Sequence, residues 1–178
     1  MKLLLHTCCA PCLIYPAEKL KEKGFEVTGF FYNPNIHPFS EYTNRKNAIT
    51  QLDGNIEVLY PEYNPAEFFQ AVNLVEERLE RCPVCWFLRL KKTAEEAKAR
   101  GFAAFSTTLL VSPYQDQEAL KRIGQDLARE LGTEFYYEDF RPGFRDAHNK
   151  AKQKGIYCQK HCGCIYSEIE RCRKSERH

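Results

Sequence analysis

Seven of the nine cysteines in this chain of 178 residues fall in three tight groups: Cys8, Cys9 and Cys12, then Cys82 and Cys85, then Cys162 and Cys164. Thiolates spaced by three residues or fewer are typical ligands of zinc and of iron–sulfur clusters. Structural zinc usually draws its ligands from local knuckles joined by short spacers, and it serves domains too small to fold without it. Here the units Cys9-x-x-Cys12 and Cys82-x-x-Cys85 lie far apart in a chain long enough to bury a core of its own. An iron–sulfur cluster whose ligands the fold brings together is therefore favoured over zinc, which stays open. A cubane accepts four thiolates and the chain offers more, so the surplus implies a second centre. That centre is either a mononuclear metal beside the cluster or a dithiol that cycles through a disulfide. Cys162-Gly163-Cys164 suits both, since glycine lets the backbone turn two thiols to one side. Cys158 and Cys172 read as ordinary small hydrophobes.

The elements that must position these thiols can be read from the chain pattern. Leu3-Leu4-Leu5 is an apolar strand running into His6-Thr7-Cys8-Cys9-Ala10-Pro11-Cys12, with the proline placed to open a helix. That is the first strand-to-helix turn of an α/β unit, where open parallel sheets bind ligands. A helix over Leu13–Lys23 ending at Gly24, a strand over Phe25–Tyr32 and the loop Asn33-Pro34-Asn35-Ile36-His37-Pro38 follow. Phe39–Leu52 reads as a polar helix with Glu41 and Arg45 at i and i+4, able to pair or to reach together toward the loop face. A strand at Ile56–Tyr60, a helix at Ala66–Glu77 and a long helix opened by Arg81-Cys82-Pro83-Val84-Cys85 and stopped by Gly101 come next. The pattern closes with strands at Phe102–Thr108 and Glu134–Tyr137 around a helix at Asp116–Leu131. Alternation of strands with helices predicts an α/β, single-domain, Rossmann-like (HUP-like) parallel sheet with helices on both faces. After Phe140 the pattern changes to Arg141-Pro142-Gly143, a helix near Asp146–Lys154, the Cys162/Cys164 pair and a basic helix. Residues 1–138 thus form the α/β core of one domain spanning 1–178, and 139–178 form a cysteine-containing helical cap and basic tail that returns over the sheet edge.

Composition narrows the function classes. The chain has no apolar run long enough to span a bilayer and no secretory signal, so a cytoplasmic protein with reduced thiols and no membrane partner is expected. It lacks Gly-x-Gly-x-x-Gly, Ser-Gly-Gly-x-Asp-Ser and Gly-x-x-x-x-Gly-Lys loops, so nothing recommends directly bound NAD or ATP. From Lys150 to His178 there are eight Lys/Arg against three Glu, a balance of +5 that leaves residues 1–149 at −3 within a formal net charge of +2. Such asymmetry is what a nucleic-acid contact needs, although on charge alone a solvated basic helix is the favoured reading. His6, ending an apolar strand, reads as a satisfied core histidine. Asp139 and Arg141 most simply end a strand and pair with each other, while their place at the sheet's ligand edge also makes them candidates for substrate contact.

Six motifs in order make the pattern specific: His6-x-Cys8-Cys9-Ala10-Pro11-Cys12, Tyr32-Asn33-Pro34-Asn35-Ile36-His37-Pro38 with Glu41 and Tyr42, Arg81-Cys82-x-x-Cys85, Thr107-Thr108-Leu109-Leu110-x-Ser112-Pro113-Tyr114, Asp139-Phe140-Arg141, and Cys162-Gly163-Cys164-x-Tyr166-Ser167. Together they resemble the epoxyqueuosine reductase family QueH over residues 6–167. That resemblance implies an oxidoreductase that converts epoxyqueuosine to queuosine in tRNA, the last step of queuosine biosynthesis, with a [4Fe-4S] cluster and no cobalamin. It implies that Cys8, Cys9, Cys82 and Cys85 hold the cluster and that Cys162 and Cys164 are the redox-active or second-metal pair, with Cys12 a further candidate ligand of a second iron. The implied partners are tRNA carrying epoxyqueuosine at the wobble position and an external electron donor. The +5 balance makes the basic segment Lys150–Arg177 the candidate to hold the anticodon-arm phosphates, and Tyr157 and Tyr166, which flank the thiol pair, read either as core residues or as rings that stack anticodon bases. An iron–sulfur-dependent tRNA thiolase and a non-enzymatic metal-containing nucleic-acid-binding module are the competing readings.

Overall fold

Leu3, Leu4 and Leu5 are fully buried in succession, as expected of a central strand covered on both faces rather than one. In the computed structural model, which describes residues 1–52 and 56–175, they form the middle of β1 (Lys2–His6). β1 is flanked by β2 (Glu26–Phe30) and β4 (Ala104–Thr107), with β3 (Val58–Leu59) and β5 (Glu134–Phe135) at the edges, in the order β3-β2-β1-β4-β5. All four pairings are parallel, and the register sets His6 opposite Phe30 on one side and Thr107 on the other.

The strand order grows outward in both directions from β1. Right-handed crossovers therefore place the helices of the two directions on opposite faces. α1 (Ala10–Glu22) and α2 (Phe39–Thr50) lie on one face. α4 (Arg78–Ala99) packs on β1 and β4 with α5 (Gln117–Leu131) on the other, and short α3 (Pro65–Val72) leans on α4. α5 is closed at both ends as its sequence suggests. Asp116 accepts the Ala119 N–H at 3.0 Å as N-cap, and Gly132 supplies the left-handed residue, φ +66°, after the last turn. The chain then makes a 3₁₀ turn at Arg141–Gly143, adds α6 (Phe144–Gln153) against α1, and returns to the sheet edge before α7 (Ile165–Ser175). No helix among the described residues is long and apolar enough to cross a membrane.

Several boundaries differ from expectation for local reasons. The strand expected over Phe102–Thr108 is shortened at both ends. The Phe102 N–H still bonds to the helix at Ala97, and Thr107 accepts the Leu109 N–H at 3.1 Å to start a 3₁₀ turn over Thr108–Val111. The edge strands Ile56–Tyr60 and Glu134–Tyr137 keep only the pairs Val58–Leu59 and Glu134–Phe135. The helix expected to reach Glu77 stops at Val72, followed closely by Leu74 at φ +68°. The next helix starts at Arg78 rather than at Arg81. Arg177, the last residue of the expected basic segment, lies outside the described residues.

Candidate metal centre

The sheet order reverses between β1 and β4, so the loops leaving their C-terminal ends diverge and open a crevice. The two strand ends are stitched together below it. His6 Nδ1 accepts from the Thr107 hydroxyl at 3.0 Å and its Nε2–H donates to the Tyr32 carbonyl at 3.2 Å, which makes it the satisfied core histidine the sequence suggests. Burial holds its pKa down to about 3, so the ring is neutral.

Cys9 is the N-cap of α1 and Cys12 the third residue of its first turn, the spacing at which two side chains face each other across a helix start. Cys8 precedes them, with its Sγ 3.6 Å from that of Cys9, and the three sulfurs all lie within 4.8 Å of one another. Among the described residues no other set of three or more Cys, His, Asp or Glu is this tight. Cys12 and Cys9 donate to Cys8 and hold its thiol well below its ordinary range. Burial drives Cys9 up, and the bond to Cys8 drives Cys12 up. Apolar packing does not isolate this trio. Gln159 Nε2 donates to Cys9 Sγ at 2.9 Å and lies 3.7 Å from Cys12 Sγ, and the Thr108 hydroxyl lies 3.5 Å from Cys8 Sγ.

The second group comes from α4 and the cap. Cys82 and Cys85 are one turn apart on the same face of α4, past its start. Burial pushes the Cys85 thiol up to about 11 and raises that of Cys82, and the neighbouring Cys162 adds to both. Cys85 packs with Cys164, Phe68 and Val72 in one apolar cluster. Cys162 and Cys164 hold their sulfurs 4.0 Å apart across Gly163, whose φ of +129° is one that other residues rarely adopt. A Cβ there would also stand 3.0 Å from Ile36 Cγ1. The bond from Cys164 lowers the Cys162 thiol, and the same bond raises Cys164.

The cap loop is clamped from below by α2. Arg45, 1% exposed, donates Nε to Glu41 at 2.7 Å and its two terminal nitrogens to the carbonyls of Cys162 and His161 at 3.1 and 3.0 Å. The Tyr157 hydroxyl donates to the other Glu41 oxygen, and the His37 N–H donates to the Gly163 carbonyl at 2.8 Å. Glu41 and Arg45 thus both pair and reach the loop. On the far side Arg81 binds Glu170 of α7 at 2.6 Å and lies over the Tyr166 ring.

These loops enclose a cavity of about 650 Å³ lined by Cys8, Cys12, Cys82, Cys85, Cys162 and Cys164, with Cys9 buried behind them. Seven Lys/Arg side chains line it against the two carboxylates of Asp116 and Glu170. All seven thiols that the sequence singled out therefore meet here, in two groups. Cys12, given no firm role from sequence, sits in the tighter one. Asp139 and Arg141 are elsewhere on the surface, where Arg141 binds the Asp139 carboxylate through Nε at 2.8 Å and a terminal nitrogen at 2.6 Å. They do not line the cavity. Tyr157 and Tyr166 are engaged by Glu41 and Arg81. The aromatic ring exposed at the cavity mouth is instead Tyr114, 73% exposed and edge-on to Phe144. Sequence reasoning passed over Gln159 and Arg89, although Arg89 is one helical turn beyond Cys85, and it named Thr108 within a motif without a role. Soft thiolates and almost no oxygen ligands make a donor set that fits an iron–sulfur centre and would serve a hard cation poorly.

A family model described as "Epoxyqueuosine reductase QueH" matches residues 3–170. A protein of that description from Dehalococcoides mccartyi is 39% identical over 173 residues, covering 96% of this chain and 94% of its own length. One from Thermotoga maritima is 36% identical, with 96% and 92% covered, and one from Streptococcus pyogenes is 34% identical, with 93% and 69% covered. Among solved structures, one described as a predicted subunit of tRNA methyltransferase from Methanocaldococcus jannaschii superposes with a TM-score of 0.56 at 12% identity, covering 85% of this chain and 76% of that one. At that identity the likeness concerns the fold alone.

Proposed function

The chain belongs to the epoxyqueuosine reductase family QueH, and from that premise we propose that it reduces epoxyqueuosine to queuosine in tRNA at the sulfur-lined cavity. The observation that carries this reading is the convergence of six thiols on one basic crevice at the switch point of the sheet, with Cys9 packed against Cys8 and Cys12. Cys8, Cys9, Cys82 and Cys85 would hold a [4Fe-4S] cluster, which supplies single electrons at a potential set by its surroundings. Cys162 and Cys164 remain for a second iron. Two sulfurs on a tetrahedral metal at about 2.3 Å stand roughly 3.8 Å apart, close to the 4.0 Å separation of this pair. Cys12, beside Cys8 and Cys9, is a further ligand for either centre.

Opening an epoxide to an alkene removes one oxygen and consumes two electrons and two protons. The chain's own groups bear on the protons and on the substrate. His161 lines the cavity with its ring proton at Nε2, since Nδ1 accepts from the Gly163 N–H at 3.2 Å. The Arg45 clamp keeps that loop seated while the substrate enters. Arg78, Lys160, Arg171 and Lys174 at the cavity offer cations to the anticodon-arm phosphates, and Tyr114 offers a ring face to an unpaired base. The electrons come from an external donor.

The test is to incubate anaerobically reconstituted protein and a chemical reductant with tRNA carrying epoxyqueuosine, then digest the tRNA and identify its nucleosides by mass. Queuosine, lacking one oxygen, is expected in proportion to enzyme. Unchanged epoxyqueuosine with fully loaded, reduced protein would refute the reading.

A further inference from the structure

Three arginines are buried around the cavity, and two have a carboxylate: Arg45 binds Glu41 at 2.7 Å and Arg81 binds Glu170 at 2.6 Å. The third, Arg89, is 4% exposed and makes no ion pair among the described residues. Its Nε is buried without a hydrogen-bond partner. A guanidinium cannot shed its proton, so a buried arginine with no carboxylate to balance it is strongly unfavourable unless an anion reaches it. The cavity is where that anion must arrive. Arg89 lines it one helical turn from Cys85, on the α4 face that also carries Cys82.

We propose that Arg89 is the built-in countercharge of the metal–thiolate centre and that it sets the potential at which the centre accepts an electron. The proposal rests on the iron–sulfur reading above. Each thiolate brings a negative charge that the irons and sulfides of a cluster do not fully cancel, and reduction adds one more. A fixed cation beside the ligands therefore favours the reduced form. The geometry places it there: Arg89 stands one turn beyond Cys85 and two beyond Cys82 on α4, and it lines the same cavity as Cys162 and Cys164. Arg45 faces Cys9 and Cys8 in the same way, but its charge is offset by Glu41, so it holds the loop without adding comparable field. A substrate phosphate is the weaker candidate partner. The Arg89 side chain is buried beside the ligands, whereas the cations suited to phosphate stand at the mouth.

The experiment is a reductive titration of the anaerobically reconstituted full chain, followed by visible absorbance and electron paramagnetic resonance, for wild type, Arg89→Gln and Arg89→Lys. At the effective dielectric of buried sites a unit charge within about 10 Å changes a charging equilibrium at least tenfold. The Gln protein should therefore load the same iron and sulfide but reduce at least tenfold less favourably, ~59 mV lower for a one-electron couple. The Lys protein should stay near wild type, and added salt should not erase the difference. If Gln fails to load while Lys loads with a near-native potential, the need for the charge is also shown. A loaded Gln protein with the wild-type potential would overturn the proposal. So would loss of the centre in both variants with the thermal melt unchanged, since a pure countercharge survives Lys. If wild type itself takes up no iron and sulfide, the iron–sulfur reading fails first and this proposal falls with it.

Discussion

Replacing Arg45 with Met should release the cap from the sheet edge while leaving the sheet folded. The substitution keeps the length and apolar stem of the side chain but deletes one ion pair and two hydrogen bonds. Glu41 is left as a largely buried carboxylate, and the carbonyls of Cys162 and His161 lose their donors. Removing one partner of a buried pair costs about 3–5 kcal/mol. Two of the three lost bonds join α2 to the loop at 161–162, and opening the cap lets water reach the stranded Glu41, so the cost should appear as local opening of the cap, with its opening constant raised roughly 10²–10⁴-fold. Hydrogen exchange resolved by mass spectrometry is the assay, together with the rate at which a thiol reagent reaches Cys162 and Cys164 in the metal-free protein. Exchange should accelerate across residues 157–170 and stay near wild type in β1 and β4. Removing both charges in Glu41→Gln/Arg45→Met should recover part of the loss, because no buried charge is then left alone. Wild-type protection of the cap in Arg45→Met would refute the reasoning.

Three further outcomes follow from the same geometry. Cys82→Ala or Cys85→Ala should abolish the cluster spectrum, whereas Cys162→Ala or Cys164→Ala should abolish turnover and keep most of the absorbance. Equal loss in Cys82→Ala and Cys164→Ala would show that the division between the centres is wrong. Neutralising Arg171, Arg173 and Lys174 together should weaken tRNA binding and flatten its dependence on salt without changing iron content; binding that ignores both charges and salt would place the RNA on another face. The clamp also has an acid limb. Burial opposes ionisation of Glu41, but Arg45 and the Tyr157 hydroxyl outweigh it and hold the carboxyl below its usual range. Its contribution is therefore complete above the ordinary carboxylate pKa and is lost as pH falls through the lower, folded value. Cap exchange should accelerate below about pH 4, and Glu41→Gln should remove that step.

The sheet was legible because its strands carry their own signals: the continuous apolar run of Leu3-Leu4-Leu5 and the glycines and prolines that punctuate the helices. The edge strands were overestimated, since Ile56 and Tyr137 have the residue types of strands but no second neighbour to pair with. The start of α4 was hidden for a different reason. Glu77 makes no capping bond through its side chain, and Leu79, in the first turn, is 89% exposed, so neither capping nor periodicity marks the boundary. That displacement sets Cys82 and Cys85 inside the helix, with Arg89 stacked on the same face. The thiol groups were visible as spacings. Their meeting depends on a crossover between distant strands that no local pattern encodes, and so does the link from Arg45 to the Cys162 carbonyl across 117 residues.

The most direct test of the central claim is iron and labile-sulfide analysis of the anaerobically purified or reconstituted protein, together with its visible spectrum. The account predicts a brown protein carrying four irons with matching sulfide, and a fifth iron when the second site is filled. A colourless protein holding stoichiometric zinc and no sulfide after reconstitution would contradict it.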